Sequence, residues 1–143
     1  MSTDYFDAAT RHQKDASLLF ENKRWPNADQ LYGLAAECAL KAIMQALGMP
    51  LWDDGAPKER KHRRHIDRLW NEFLTFANGK AGATIVRALP ADNPFDDWCI
   101  AQRYQPSSAI LPERVAAHKE AASQVFVGLE NARAEGRLSC RTS

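Results

Sequence analysis

Long apolar runs are missing from this sequence of 143 residues, and with them any segment able to cross a bilayer as a helix. The opening Met1-Ser-Thr-Asp-Tyr5 has neither a basic stretch nor an apolar one of the kind a secretory leader needs, so a cytoplasmic location without membrane attachment is expected. Cysteine is scarce: Cys38, Cys99 and Cys140 are widely spaced and show no C-x-x-C pairing. That excludes a disulfide framework and a zinc site, and no metal is expected. Net charge is +1, which excludes a strong overall field as the basis of binding. No segment alternates with a period of two, so a sheet is not predicted. Glycine-rich phosphate loops, a nucleophile elbow, internal repeats and low-complexity tracts are also absent, and no cofactor is implied.

What is present is helical periodicity in ordinary globular proportions, 45% apolar and 26% charged residues, in a length typical of one domain. Asp29 to Gly48 is apolar on nearly every side of a helix. Leu31, Leu34, Leu40, Ile43 and Leu47 cover most directions, together with Ala35, Ala36, Cys38, Ala39 and Ala42. Gln30, Glu37, Lys41 and Gln45 follow at spacings of seven, four and four and share one narrow stripe. Such a helix belongs at the centre of a bundle, and ionised groups on it need partners. Small residues, Gly33 among them, allow a neighbouring helix to approach closely, whether from the same chain or from a second protomer.

Other helices surround this one in the sequence. Tyr5, Ala9, His12, Ala16 and Leu19 form a bundle seam in a helix from about Asp4 to Glu21, capped by Thr3 or Asp4. The link to Pro26 is so short that the first two helices must be antiparallel neighbours. Gly48 and Pro50 stop the second. Ile66, Leu69, Trp70, Phe73 and Ala77 give a third that closes at Asn78-Gly79, and a short piece spans 81 to 89. Residues 90 to 111 form a loop too aromatic to be a linker, containing Phe95, Trp98, Ile100 and Tyr104, and are expected to be tied down. A last helix starts at Pro112, buries Val115, His118, Ala122, Val125, Phe126 and Leu129, and stops near Gly136, with 137 to 143 fraying. The fold class expected is an all-α, up-and-down four-helix bundle with one short extra helix, in a single domain over 1–143.

Three groups of residues could carry chemistry. Lys58 to Arg68 holds six Lys or Arg against two acids, with His62 and His65, and could meet phosphate or simply form a solvated helix start. Asp92, Asp96 and Asp97 are its small acidic counterpart. Arg60 and His65, or Arg114 and His118, could pair an arginine that stabilises a pentacoordinate phosphate with a histidine that moves protons. His118 and His12 also read as core-edge histidines in apolar seams. Trp98, Arg103 and Tyr104 could offer a fork of donors beside a stacking surface, or could anchor the loop, Trp98 and Tyr104 at the core edge and Arg103 paired with Glu37.

Taken together, Arg11-His-Gln-Lys-Asp-Ala16, Leu34-Ala-Ala-Glu-Cys-Ala-Leu-Lys-Ala42, His65-Ile-Asp-Arg-Leu69 and Arg103-Tyr-Gln-Pro106 resemble the HEPN family (higher eukaryotes and prokaryotes nucleotide-binding) over about Tyr5 to Leu129. His65 to Leu69 looks like the family's His-x-x-x-Leu opening of helix three, and Arg103 to Pro106 like its Arg-Tyr-Pro element. The resemblance implies a homodimer with a cleft between protomers. It also implies RNA or nucleotide as ligand in a toxin–antitoxin, defence or RNA-processing setting, and a nucleotidyltransferase or antitoxin-type protein as partner. The family's catalytic Arg, four to six residues, His motif has no counterpart after Arg103. Arg114 and His118 are one residue too close, and Arg60 to His65 falls before helix three. The family's catalytic roles are therefore not carried over.

Three functions follow as expectations. The first is a module binding nucleotide or RNA with little or no catalysis, through Glu37, Lys41, His65, Trp98, Arg103 and Tyr104. The second is a metal-independent ribonuclease with His65 as acid/base and Arg60 or Arg103 at the phosphate. The third is a dimeric interaction module that does not touch nucleic acid.

Overall fold

A computed structural model describes residues 3–80 and 82–134, and all regular structure in it is helical, apart from an isolated bridge between Leu51 and Pro57. Helix α1 spans Tyr5–Glu21, α2 Trp25–Ala46, α3 Ile66–Ala77, α4 Ala83–Ala88 and α5 Pro112–Ala134. The expected helix end near Gly136, the tail from 137 to 143, Cys140 and the expected start at Ala81 lie outside the described residues. No helix among the described residues is long and apolar enough to cross a membrane.

Local signals account for the ends of the first two helices. The Asp4 side chain accepts a hydrogen bond from the Asp7 backbone N–H at 2.9 Å, satisfying a donor that the helix itself cannot. At the other end the chain reverses within three residues. Lys23 takes a left-handed conformation (φ 59°), and the N–H groups of Lys23 and Arg24 return to the carbonyls of Phe20 and Leu19. Pro26 then sits in the first turn of α2, where its missing N–H costs nothing. Gly48 (φ 95°) ends α2 by the same device, with the Met49 N–H on the Met44 carbonyl at 2.9 Å.

α2 is the axis of the molecule, packed against α1, α3 and α5. Ala28, Ala35, Ala36, Ala39 and Ala42 are buried along it, and their small side chains let three helices approach one rod. The apolar faces predicted for α3 and α5 are the buried ones: Ile66, Leu69, Trp70, Phe73 and Ala77, then Val115, Ala122, Val125 and Leu129, with Phe126 only partly covered. α4 is shorter than the pattern predicts, although Ile85 and Leu89 still close over the core.

The aromatic segment between α4 and α5 is tied down, as its composition implies. It contains short 3-10 turns at Ile100–Tyr104 and Ser107–Ala109. Phe95 and Trp98 are fully buried, the Trp98 indole N–H donates to the Asp29 carbonyl at 3.0 Å, and Asn93 donates to the Asp67 carbonyl at 2.7 Å. Tyr104 departs from the anchoring role considered for it. It is 79% exposed, because the turn carrying it bends away from the core after Gln102.

Candidate functional site

The polar stripe of α2 divides into parts with different fates. Gln30 reaches the Ile100 carbonyl at 3.4 Å, and Gln45 is exposed. Between them, Glu37 and Lys41 are about nine-tenths buried and paired one turn apart, Lys41 Nζ lying 3.1 Å from Glu37 Oε2. The second carboxylate oxygen accepts from His65: Nδ1 lies 3.0 Å from Oε1. His65 stands immediately before α3 in extended conformation, so its ring turns back toward α2 while its side chain remains 47% exposed. One carboxylate thus orients one imidazole and neutralises one ammonium, and Nε2 of His65 has no hydrogen-bond partner among the described residues.

Electrostatics favour the protonated form of His65. Its hydrogen bond to Glu37 raises its pKa above the ordinary histidine value; burial and Lys41 oppose this, while the charges of Glu37 and Asp67 add to it. Glu37→Gln removes both the charge and the strongest acceptor. The His65 pKa, followed by NMR of the imidazole protons, is expected to fall to or below the ordinary value, because burial then acts with little opposition. An unchanged titration would show that the contact is incidental. Thiol chemistry is absent here: burial, then the charge of Glu37, pushes the neighbouring Cys38 up to about 11, so it stays a neutral thiol.

Next to His65 in the chain, Arg60, Arg63, Arg64 and Arg68 line an open groove of about 580 Å³. Among the described residues only Arg64 of these four has a carboxylate partner, Glu72 at 3.5 Å. The basic cluster is therefore an exposed guanidinium surface with charge in excess.

Three expected members of the site, Arg103, Trp98 and Tyr104, are elsewhere. Arg103 makes no ion pair with Glu37 among the described residues; its guanidinium lies 4.9 Å from the ring centre of Tyr104, on the exposed turn. That turn is anchored at Gln30 and Asp29, about two helical turns or roughly 10–12 Å along α2 from Glu37. Trp98, expected as a stacking surface, is 1% exposed and packs against Gly33, so no base can reach it. Tyr104 retains an open face. Glu37, Lys41 and His65 converge, whereas Arg60 lines the arginine groove with Arg63, Arg64 and Arg68.

A second polar cluster was hidden in the sequence. His118, 1% exposed, lies between two carboxylates: Nδ1 is 2.6 Å from Asp29 Oδ1, and Nε2 is 2.6 Å from Asp97 Oδ1. Gln102 Nε2 donates to Asp29 Oδ2 at 2.6 Å, Arg114 Nε approaches Asp97 Oδ2 at 3.5 Å, and Phe95 stacks on the imidazole at 5.0 Å. Carboxylates only accept, so both ring nitrogens must carry hydrogen, and the ring is an imidazolium. Burial alone would lower the His118 pKa, but the hydrogen bonds and charges of Asp29 and Asp97 outweigh it and raise the value. With both nitrogens engaged and no exposed edge, His118 braces α2, α5 and the aromatic segment and has no atom free for a substrate. The signal was an acid on an apolar helix, Asp29, and a histidine in an apolar seam; each required a partner.

Among the described residues, no group of three or more His, Cys, Asp or Glu side chains could hold a metal ion. Compared with protein-family models, with curated proteins and with solved structures, the chain matches none.

Proposed function

We propose that this protein is a HEPN-like module that binds single-stranded RNA along the groove of Arg60, Arg63, Arg64 and Arg68, with the strand passing His65. The observation that carries this reading is the groove itself: four exposed guanidiniums around one concave surface, three of them without an acidic partner among the described residues. Planar guanidinium forks suit phosphate oxygens, and uncompensated positive charge gains free energy by displacing the strand's counterions. Exposed Tyr104, with Arg103 over its ring, supplies a stacking face that a splayed base could use. The family resemblance supports a homodimer in a prokaryotic toxin–antitoxin, defence or RNA-processing setting, with a nucleotidyltransferase or antitoxin-type protein as partner.

Fluorescence anisotropy with a labelled oligoribonucleotide at several salt concentrations tests this. Arg60→Ala combined with Arg68→Ala removes two phosphate contacts and is expected to reduce the slope of log K against log salt by about 1.4, at about 0.7 per contact on a single strand. Salt-independent binding, or an unchanged slope in the double variant, would sink the reading.

A second reading, a metal-independent ribonuclease, is favoured by one observation. His65 is half-exposed, oriented by Glu37 and held toward its protonated form beside the arginine groove.

A further inference from the structure

Where the chain leaves α2 and where α3 ends, the molecule encloses an open cavity of about 380 Å³ that shares no lining residue with the arginine groove. Glu59, Lys61, His62, Glu72, Phe76 and Lys80 are among its walls. His62 belongs to a 3-10 turn, Arg60–His62, and its ring stands edge-on to Phe76, with centroids 5.2 Å apart and planes at 86°. That ring is 2% exposed, yet its Nδ1 has no hydrogen-bond partner among the described residues. A buried polar atom in this condition costs free energy until a partner reaches it, and most such atoms in folded proteins have one.

The surrounding charges define that partner. Nε2 of His62 approaches Glu59 Oε2 at 3.6 Å. A carboxylate only accepts, so the ring hydrogen belongs on Nε2 and Nδ1 presents a bare lone pair. Burial, helped by Lys61 and Lys80 and opposed by Glu59 and Glu72, lowers the His62 pKa, so the ring is neutral near neutral pH. Both carboxylates already have a cation: Lys61 lies 3.6 Å from Glu59, and Arg64 lies 3.5 Å from Glu72. Lys80 has no carboxylate partner among the described residues, and its ammonium lies 4.6 Å from the ring centre of Phe76. The cavity thus offers one positive charge in excess, one lone pair in need of a donor, and an aromatic wall.

We propose that this cavity binds a small hydroxycarboxylate of single negative charge, its carboxylate on Lys80 and its hydroxyl donating to Nδ1 of His62. A doubly charged phosphate would set its second charge against Glu59 and Glu72, with no further unpaired cation among the lining residues to meet it. An amino acid carries an ammonium that cancels its own carboxylate and leaves Lys80 uncompensated. A carboxylate without a hydroxyl leaves Nδ1 without a donor. An apolar tail on the ligand has the Phe76 ring to lie against. The volume is that of a small-molecule site, for which about 300–1,000 Å³ is usual. This site is separate from the arginine groove and does not depend on RNA binding.

The test titrates the full chain with 3-phenyllactate and follows the backbone amide shifts by NMR. Three further probes are compared: 3-phenylpropanoate, which lacks the hydroxyl, phenylalanine, and inorganic phosphate. Saturable shifts centred on residues 59–62 and 72–80 are expected, with phenyllactate about tenfold tighter than phenylpropanoate, the effect of one hydrogen bond to a buried acceptor. Lys80→Met keeps the stem, removes the charge, and should weaken phenyllactate about tenfold. His62→Phe keeps a ring against Phe76 and removes the acceptor. The two carboxylates should then bind alike, while helix content by circular dichroism stays native. Equal affinity of the two in the wild-type protein overturns the proposal without recourse to any variant. So does a preference for phenyllactate that survives His62→Phe, or tighter binding of phosphate or phenylalanine in the cavity. Shifts centred instead on Arg60, Arg63, Arg64 and Arg68 would show general anion attraction and overturn it as well, as would no saturable shift at millimolar probe.

Discussion

Asp29→Ala is expected to cost about 3–5 kcal/mol of folding stability, read as a lower urea midpoint at constant m-value. Asp29 is wholly buried and accepts from both His118 and Gln102. Its removal leaves an imidazolium nitrogen and an amide N–H without acceptors in a dry interior, and that desolvation is not recovered from water. The same cluster holds the aromatic segment to α2 and α5, so the loss should extend to Trp98 and Phe95, visible in near-ultraviolet circular dichroism. A midpoint shifted by less than about 1 kcal/mol would mean that the brace is ornamental.

The brace also sets a pH dependence whose sign follows from His118. Its pKa is higher folded than unfolded, so its contribution is fully present below the unfolded value of about 6.5 and is lost as pH rises through the raised folded value. The stability gap between wild type and Asp29→Asn is therefore expected to narrow from pH 6 to pH 9. A gap that widens over that interval would contradict the imidazolium assignment.

Gly33→Ala is expected to destabilise by about 3 kcal/mol, at or above the upper end of ordinary overpacking. A Cβ at position 33 would overlap the Cε2, Nε1 and Cζ2 atoms of the Trp98 indole. The ring is 1% exposed and has no room to retreat, and any shift strains its hydrogen bond to the Asp29 carbonyl. Trp98→Phe removes the part of the ring that collides. Gly33→Ala and Trp98→Phe together should thus be less destabilising than the sum of the two single changes. Strict additivity in thermal unfolding would show that the close approach does not govern the packing.

Much of the helical layout was legible because its causes are local. Asp4 as a cap, Pro26 in a first turn, Gly48 at a stop, and the apolar spacing of Ile66, Leu69, Trp70 and Phe73 act within a few residues of where they appear. Glu37 and Lys41 were legible as a pair for the same reason, being four residues apart on one helix. His65 and Arg103 were both expected in one site with Glu37, but that His65 and not Arg103 meets its carboxylate was not legible. Arg103 lost because its turn is anchored two helical turns away on α2, through Gln30 and Asp29.

From the chain of residues alone came the helices, their order, the central place of α2 and the need of its charges for company. The identity of that company was decided in three dimensions. His118 meets Asp29 across 89 residues and Asp97 across 21, and His65 meets Glu37 across 28. Capping and periodicity are paid in local free energy that short stretches reveal, whereas a buried charge is indifferent to sequence distance and takes whichever opposite group the packed helices bring within reach.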